Sequence, residues 1–459
     1  MVKQNRGLDV FSRPLAALVV GAFCSVCGAL AAPGLLEAGE TWLEWGGGPH
    51  RSFNVDAPAL AKKWPKDGPP RIWSRRLGEG YSAIVGEADR LYTMYSIREK
   101  TGEEKWALEG KEAVVCLNAK TGENVWEYVY DVPWAKDMNM EFGPGPHSTP
   151  LLLGDRLYTI GCTVKLHCLD KATGKVVWSK DLAKEYGASN LNRGYGASPL
   201  AYKNHLILPI GGEGTSVIAL KADDGSLVWK NQNFSPTYAS PIIIDVDGQD
   251  QLVTFTGEEV SGLNPNNGDL LWTHAQKTQY GANISTPVWC KDNILFISAA
   301  YGMGARGIQL TREGDTTTVK ELWYNGKMKI HHGNAVTVGD YVYGSSGDFG
   351  PAFFAAVDIK TGEFAWKKRG FSKANCVLGD DKLIVLDEDG RLALTKIGPK
   401  KMSVLSKTQL CDRVAWTVPT LLGSTLYVRD RGHITAVDLS TTADKDDSRP
   451  TRGGDAARM

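Results

Sequence analysis

The chain has 459 residues carrying 52 basic and 52 acidic side chains, a formal net charge of zero, and 42% hydrophobic residues. This balance excludes wholesale disorder and removes any global electrostatic pull toward nucleic acid or anionic lipid, while leaving room for a local patch. Glycine, at 51 residues, exceeds its usual share of about 7% and suits a chain of many tight turns.

In chain order, Lys3, Arg6 and Arg13 precede an uncharged run from Pro14 to Gly34, and Ala29-Leu30-Ala31 ends its apolar core on small residues. A basic stretch, an apolar core and a small-residue exit describe a secretory signal over residues 1–31. The run also reaches the lower length limit for spanning a bilayer, so a cleaved signal and a retained N-terminal anchor both stay open. Either places the bulk of the chain in the periplasm or another extracytoplasmic space. Cys24-Ser-Val-Cys27 is followed by Gly28 rather than histidine, so it is not a c-type haem site. Residues 32–69 form a lead-in, and residues 441–459, which lack apolar periodicity, form a disordered tail.

Cys116, Cys162, Cys168, Cys290, Cys376 and Cys411 remain beyond the signal. The even count is compatible with disulfides, and Cys162 and Cys168 flank a strand-turn-strand across which they could pair. The alternative is six small buried hydrophobes, since a core of this size needs no staples.

Five segments align without gaps: residues 116–126, 168–178, 219–229, 262–272 and 356–366. Each has a small residue, a polar loop, then glycine and tryptophan four apart: Gly122 and Trp126, Gly174 and Trp178, Gly225 and Trp229, Gly268 and Trp272, Gly362 and Trp366. Trp323 ends a sixth copy without the glycine turn, and successive tryptophans lie 52, 51, 43, 51 and 43 residues apart. The glycine accepts φ > 0 and joins two strands in a tight hairpin, and the tryptophan ring awaits a neighbouring unit. Upstream of each turn, short Val/Ile/Leu/Tyr runs separated by Gly/Asp turns read as two more strands. Residues 181–187 hold one helical turn at most.

First strands begin near residues 81, 147, 196, 238, 284, 332, 373 and 416, eight in all, but the last unit stops before any fourth strand. Trp73 lies 53 residues before Trp126, in phase with the series. An N-terminal strand around it completes the last unit. The expected fold is therefore an all-β, eight-bladed propeller of four-stranded antiparallel blades over residues 70–440, closed by that strand.

The string Ala356-Val-Asp358-Ile-Lys-Thr361-Gly362-Glu-Phe-Ala-Trp366 resembles the A-x-D-x-x-T-G-x-x-x-W repeat of the pyrroloquinoline-quinone (PQQ)-type propellers, a likeness that covers roughly residues 65–440. Two branches share it. BamB-like propellers are non-catalytic and bind protein partners in outer-membrane assembly, whereas the quinoprotein alcohol dehydrogenases carry quinone and calcium. The latter need carboxylate and amide calcium ligands, and many carry an adjacent Cys-Cys pair; this chain has no two adjacent cysteines. The resemblance thus implies a monomeric binding or scaffold propeller for an envelope protein or extended peptide, with no catalytic residue, no metal and no cofactor. PQQ and calcium are implied only under the dehydrogenase alternative.

With the first strands innermost, the residues leading into them ring the mouth of the central channel. This equivalence lines up Tyr81, His147, Gly196, Tyr238, Ile284, His332, Lys373 and Trp416, with Tyr195, Asn283, His331 and Arg413 as neighbours. Such rings and cations suit an anionic or aromatic ligand, against the plainer expectation of a water-filled polar rim. His147 and His332 are expected on opposite sides, too far apart to share a metal. Asp245-Val-Asp247-Gly248-Gln-Asp250 opens like a calcium loop but lacks the distal glutamate, so it reads as a hairpin turn. Gly302-Met-Gly304-Ala-Arg306-Gly307 matches a dinucleotide fingerprint literally, yet leads into no helix and reads as a flexible loop between strands. Thr101-Gly102 through Trp106 imitates the repeat turn out of phase and reads as an insertion in the first blade.

Overall fold

A computed structural model describes residues 40–101, 105–136, 138–188, 191–348 and 352–441. The secretory or anchor segment and nearly all of the C-terminal tail fall outside the described residues, as does Gly102 of the imitation turn. The described part forms eight antiparallel sheets whose order around the ring follows the sequence.

Blade 2 shows the unit. Leu151–Leu153, Arg156–Ile160, Lys165–Asp170 and Val176–Asp181 pair in that order, and a single turn of helix, Leu182–Tyr186, follows. The middle strands are almost wholly buried, and every residue of the fourth is exposed or only partly covered. This is the pattern expected when one strand edge faces solvent. The last blade takes its first three strands from Thr420–Leu422, Thr425–Arg429 and His433–Asp438, and its fourth from Arg71–Arg76, with Trp73 opposite Ala436. The circle closes through that N-terminal strand, as the tryptophan phase requires.

Blades dock through the repeat itself. The indole N–H of Trp73 donates to Ala119 O of blade 1 at 2.9 Å, Trp126 to Lys171 O of blade 2 at 3.0 Å, Trp178 to Ala222 O of blade 3 at 3.1 Å and Trp229 to Pro265 O of blade 4 at 3.1 Å. Each ring covers the turn glycine of the next blade: a Cβ on Gly122 would lie 2.6 Å from the Trp73 ring, and one on Gly268 2.6 Å from Trp229. Gly174, Gly225 and Gly362 face Trp126, Trp178 and Trp323 in the same way, and all five glycines have φ between +69° and +77°. The glycine therefore serves two purposes, backbone freedom and room for the ring.

Two junctions depart from the rule. Blade 5 replaces the glycine turn with a long hairpin, Gly304–Glu313 and Thr316–Asn325, and Trp272 instead donates to Gln251 Oε1 at 2.6 Å while Gln251 reaches Thr317 Oγ1 at 2.8 Å. Gly304 to Gly307 are thus strand rather than flexible loop, because this hairpin must extend to cover blade 4. Blade 7 has Ser406 at the tryptophan position, opposite Leu394, and the lead-in lays Trp64 beside it, with the Trp64 backbone N–H donating to Ser406 Oγ at 2.8 Å. Trp64 is 3% exposed.

All six cysteines among the described residues are buried free thiols. Cys162 and Cys168 do not pair, because Cys162 lies in a turn against blade 1 whereas Cys168 is directed into a separate cluster with Tyr158 and Leu206. The turn at Asp247-Gly248 is a hairpin, as expected, with φ of 49° and 84°.

Candidate functional site

The hub has two parts. Its deeper part is occupied by the lead-in. Thr41–Trp42 pairs with Glu87 and Gly86 on the inner edge of blade 1, and Leu152 N–H of blade 2 donates to Leu43 O at 2.8 Å. Gly46, Gly47 and Gly48 then turn the chain with φ of 84°, 48° and 59°, conformations that L side chains rarely adopt. The turn delivers Arg51, 2% exposed, whose guanidinium donates to Pro241 O at 2.9 Å, to Pro199 O and to Glu44 Oε2 at 2.7 Å. Trp45 Nε1 reaches Thr286 Oγ1 at 2.8 Å, and Val55 N–H reaches Leu378 O at 3.0 Å. One short segment therefore bonds to the inner elements of blades 1, 2, 3, 4, 5 and 7. Nothing in the sequence marked it beyond the glycine run and the paired tryptophans.

The other part is the mouth, where the loops lead into the inner strands. Tyr81, His147, Tyr238, His331, His332, Lys373 and Trp416 all gather there, and the rings form a chain. Tyr81 stacks on His147 with centroids 5.6 Å apart and on Trp416 at 5.5 Å; Trp416 meets His332 at 4.6 Å, and His332 meets His331 at 4.9 Å. His147 and His332 are thus joined through Tyr81 and Trp416 rather than isolated on opposite walls. Tyr301 and Tyr280 extend the chain from His331, and Phe142 lies over Trp416.

Two expected members are elsewhere. Tyr195 is 2% exposed and sits in the apolar cluster between blades 2 and 3 with Ile160 and Leu208. Asn283 is fully buried, its amide donating to Thr256 O at 2.6 Å and Gln276 O at 2.8 Å, so it braces the loop from below. Each is one residue before its mouth position and turns into the packing between blades, whereas His331, at the same step before His332, stays in the ring chain. Arg413 stands at the outer rim, paired with Glu79 at 2.6 Å. Arg193 and Phe142 complete the mouth from loops between blades, and Tyr301 and Glu388 from loops between the second and third strands of blades 5 and 7, none of them at a position aligned with the inner-strand entries.

Burial sets the protonation states. It pushes His147 and His331 down to about 4 and His332 well below its ordinary value, so all three are neutral at pH 7. Among the described residues, neither ring nitrogen of His332 has a hydrogen-bond partner. Burial works against the Glu388 carboxylate, but hydrogen bonds from Ser372 and Trp416 and the Lys373 charge hold it below its ordinary value.

Residues 110–368 match the model of the family described as Outer membrane protein assembly factor BamB, a stretch of more than half the chain. The chain belongs to this family. BamB of Shewanella oneidensis is 23% identical over 315 residues, 64% of this chain and 74% of that protein. The crystal structure of BamB from Moraxella catarrhalis has a TM-score of 0.54 at 18% identity and covers 80% of this chain and 99% of that one. The quinohemoprotein alcohol dehydrogenase of Comamonas testosteroni has a TM-score of 0.59 at 13% identity, covering 92% and 83%. At such identities the structural likeness is one of fold alone, shared by BamB and the dehydrogenases.

Two carboxylates near the mouth are already engaged with protein partners. Glu79 is committed to Arg413 and Arg431, and Glu388 to Lys373 and the Trp416 indole. Trp416 lies against both Tyr81 and His332. Among the described residues, no three His, Cys, Asp or Glu side chains come together to hold a metal ion.

Proposed function

We propose that this BamB-family protein is an exported, monomeric scaffold of the cell envelope that holds an extended segment of a protein partner, without quinone or catalysis. The observation that supports this reading is the filled hub: the lead-in occupies its depth, and a chain of stacked rings closes its mouth. The surfaces left to a partner are loops and blade edges. The fourth strand of every blade ends its sheet, and its free edge can accept an extended segment by β-augmentation. The S. oneidensis relative is named an outer membrane protein assembly factor, which makes proteins of outer-membrane assembly the natural partner class. Residues 1–31 would supply the export.

The test captures envelope proteins on the exported form of the chain carrying a C-terminal tag, and in parallel measures uptake of pyrroloquinoline quinone with calcium. Retention of discrete envelope proteins with no quinone uptake is expected. Stoichiometric quinone binding, with alcohol-dependent reduction of an artificial electron acceptor, would replace the scaffold with the dehydrogenase alternative.

A further inference from the structure

The zero net charge conceals a segregation along the rim. The fourth strand of blade 6, Phe364–Arg369, carries Lys367, Lys368 and Arg369. That of blade 7, Met402–Gln409, carries Lys407, and that of blade 8, Arg71–Arg76, carries Arg71, Arg75 and Arg76. Together these strands hold seven basic residues and no acidic one. The fourth strands of blades 1 to 5 hold three basic and four acidic residues.

The three basic strands are neighbours. Trp366 of blade 6 donates to Gly398 O of blade 7, and the lead-in bridges blades 7 and 8, with Trp64 on Ser406 and Ala61 N–H on Leu439 O. That bridge adds Lys62, Lys63 and Lys66, all exposed, while Asp67 and Glu363 are the nearest acids in sequence. None of these ten cations is in an ion pair among the described residues. On the fourth strands of blades 1 to 5, Lys180 is tied to Glu185 at 2.8 Å, while Lys230 and Lys320 stand singly, outside ion pairs among the described residues. Apolar residues are interleaved with the cations: Ile72 is 46% exposed and Val404 38%.

We propose that the outer rim of blades 6 to 8 is a docking surface for an acidic, extended polypeptide segment. This names the partner chemistry of the scaffold and rests on that reading. The unpaired strand edges supply backbone donors and acceptors, the lysines and arginines attract and orient carboxylates, and Ile72 and Val404 receive apolar side chains set between them. A polypeptide is favoured over an anionic bilayer because three successive blades of a closed ring form a convex surface. A flexible chain can follow that surface, whereas a flat membrane touches only part of it.

The test uses the full chain with fluorescein-labelled poly-L-glutamate of about twenty residues, followed by fluorescence anisotropy at two salt concentrations. The variant K367E/K407E/R71E should weaken binding at least tenfold. A control reversing Lys175, Lys230 and Lys320 on blades 2, 3 and 5 should stay within about twofold, and the wild-type affinity should fall steeply with added salt. The neutral variant K367Q/K407Q/R71Q, checked for an unchanged melting temperature, separates charge from misfolding and should lose binding to an intermediate degree. Equal losses in rim and control variants, or binding to phosphatidylglycerol vesicles but not to poly-L-glutamate, would overturn the proposal. A rim variant that loses poly-L-glutamate yet still captures envelope proteins sinks the rim and leaves the scaffold standing. Wild-type protein that binds poly-L-glutamate but captures no envelope protein does the reverse.

Discussion

A single buried arginine helps to hold the ring closed. Arg429, fully buried, reaches from blade 8 into blade 1, donating to Ser82 O at 3.0 Å, Met94 O at 2.6 Å and Gly78 O at 3.0 Å. It locks the closure that the Trp73 strand begins. Arg429→Met keeps most of the apolar volume but strands those carbonyls. Each unsatisfied buried acceptor costs about 1–3 kcal/mol, so a loss on the order of 3–6 kcal/mol is expected, read as a drop in the urea midpoint. A change within 1 kcal/mol would show that water replaces the guanidinium at about no cost. Glu112 is the opposite case. It is 1% exposed, accepts from Tyr130 Oη at 2.6 Å and Cys162 N–H at 3.0 Å, and burial raises its pKa. Between its ordinary value near 4.3 and that raised value, the native state binds more protons than the unfolded one, so its contribution declines as pH rises. Glu112→Gln cannot titrate, and its stability advantage over wild type should grow from near zero below about pH 4 to a maximum near neutrality. A pH-independent difference would remove this account of the residue.

Among elements, the docking of a tryptophan onto the next blade's glycine turn is the recurring bond of the ring. Gly268→Ala forces a methyl to within 2.6 Å of the Trp229 ring at a φ of +77°. It should lower stability by about 1–3 kcal/mol and shift the tryptophan emission, whereas Gly423→Ala, with open space around it, should cost only its backbone strain. Where the repeat is degenerate, other elements substitute. The long hairpin of blade 5 supplies Thr317 for Gln251 beneath Trp272, and the lead-in supplies Trp64 beside Ser406. The five intact copies were legible in the sequence because turn, ring and period are local. The substitutes were not, because their partners lie 66 and 342 residues away.

For the whole molecule, the buried neutral histidines tie stability to pH. Burial holds the mouth histidines His147 and His331, and His167, which packs against Tyr130 and Tyr128 where blade 2 meets blade 1, at about 4 and His332 lower still, against an unfolded value near 6.5. The unfolded chain therefore binds more protons below 6.5, and stability should fall as pH drops from 6.5 toward 4, opposed only in part by Glu112. Asp348 and Glu388 soften the effect at His331, while Lys373 and Arg193 sharpen it. Thermal melts from pH 7.5 to 4.5 should show the decline, and His167→Phe should flatten it. A midpoint unchanged over this range would mean that the mouth opens to water without cost.

The sequence by itself determined the eight blades, their four-stranded unit, the closing strand and most of the ring of mouth residues. All of these follow from periodicity and turn chemistry, which act over a few residues at a time. Only the tertiary structure decided that the lead-in threads the hub, that Tyr195 and Asn283 turn inward, that Arg193, Phe142 and Glu388 join the mouth, and that the fourth strands of three adjacent blades bring seven basic residues and no acidic one side by side. Those features depend on which residues the closed ring brings side by side. That is set by the summed packing and hydrogen bonding of the whole circle, so no local stretch of sequence contains it.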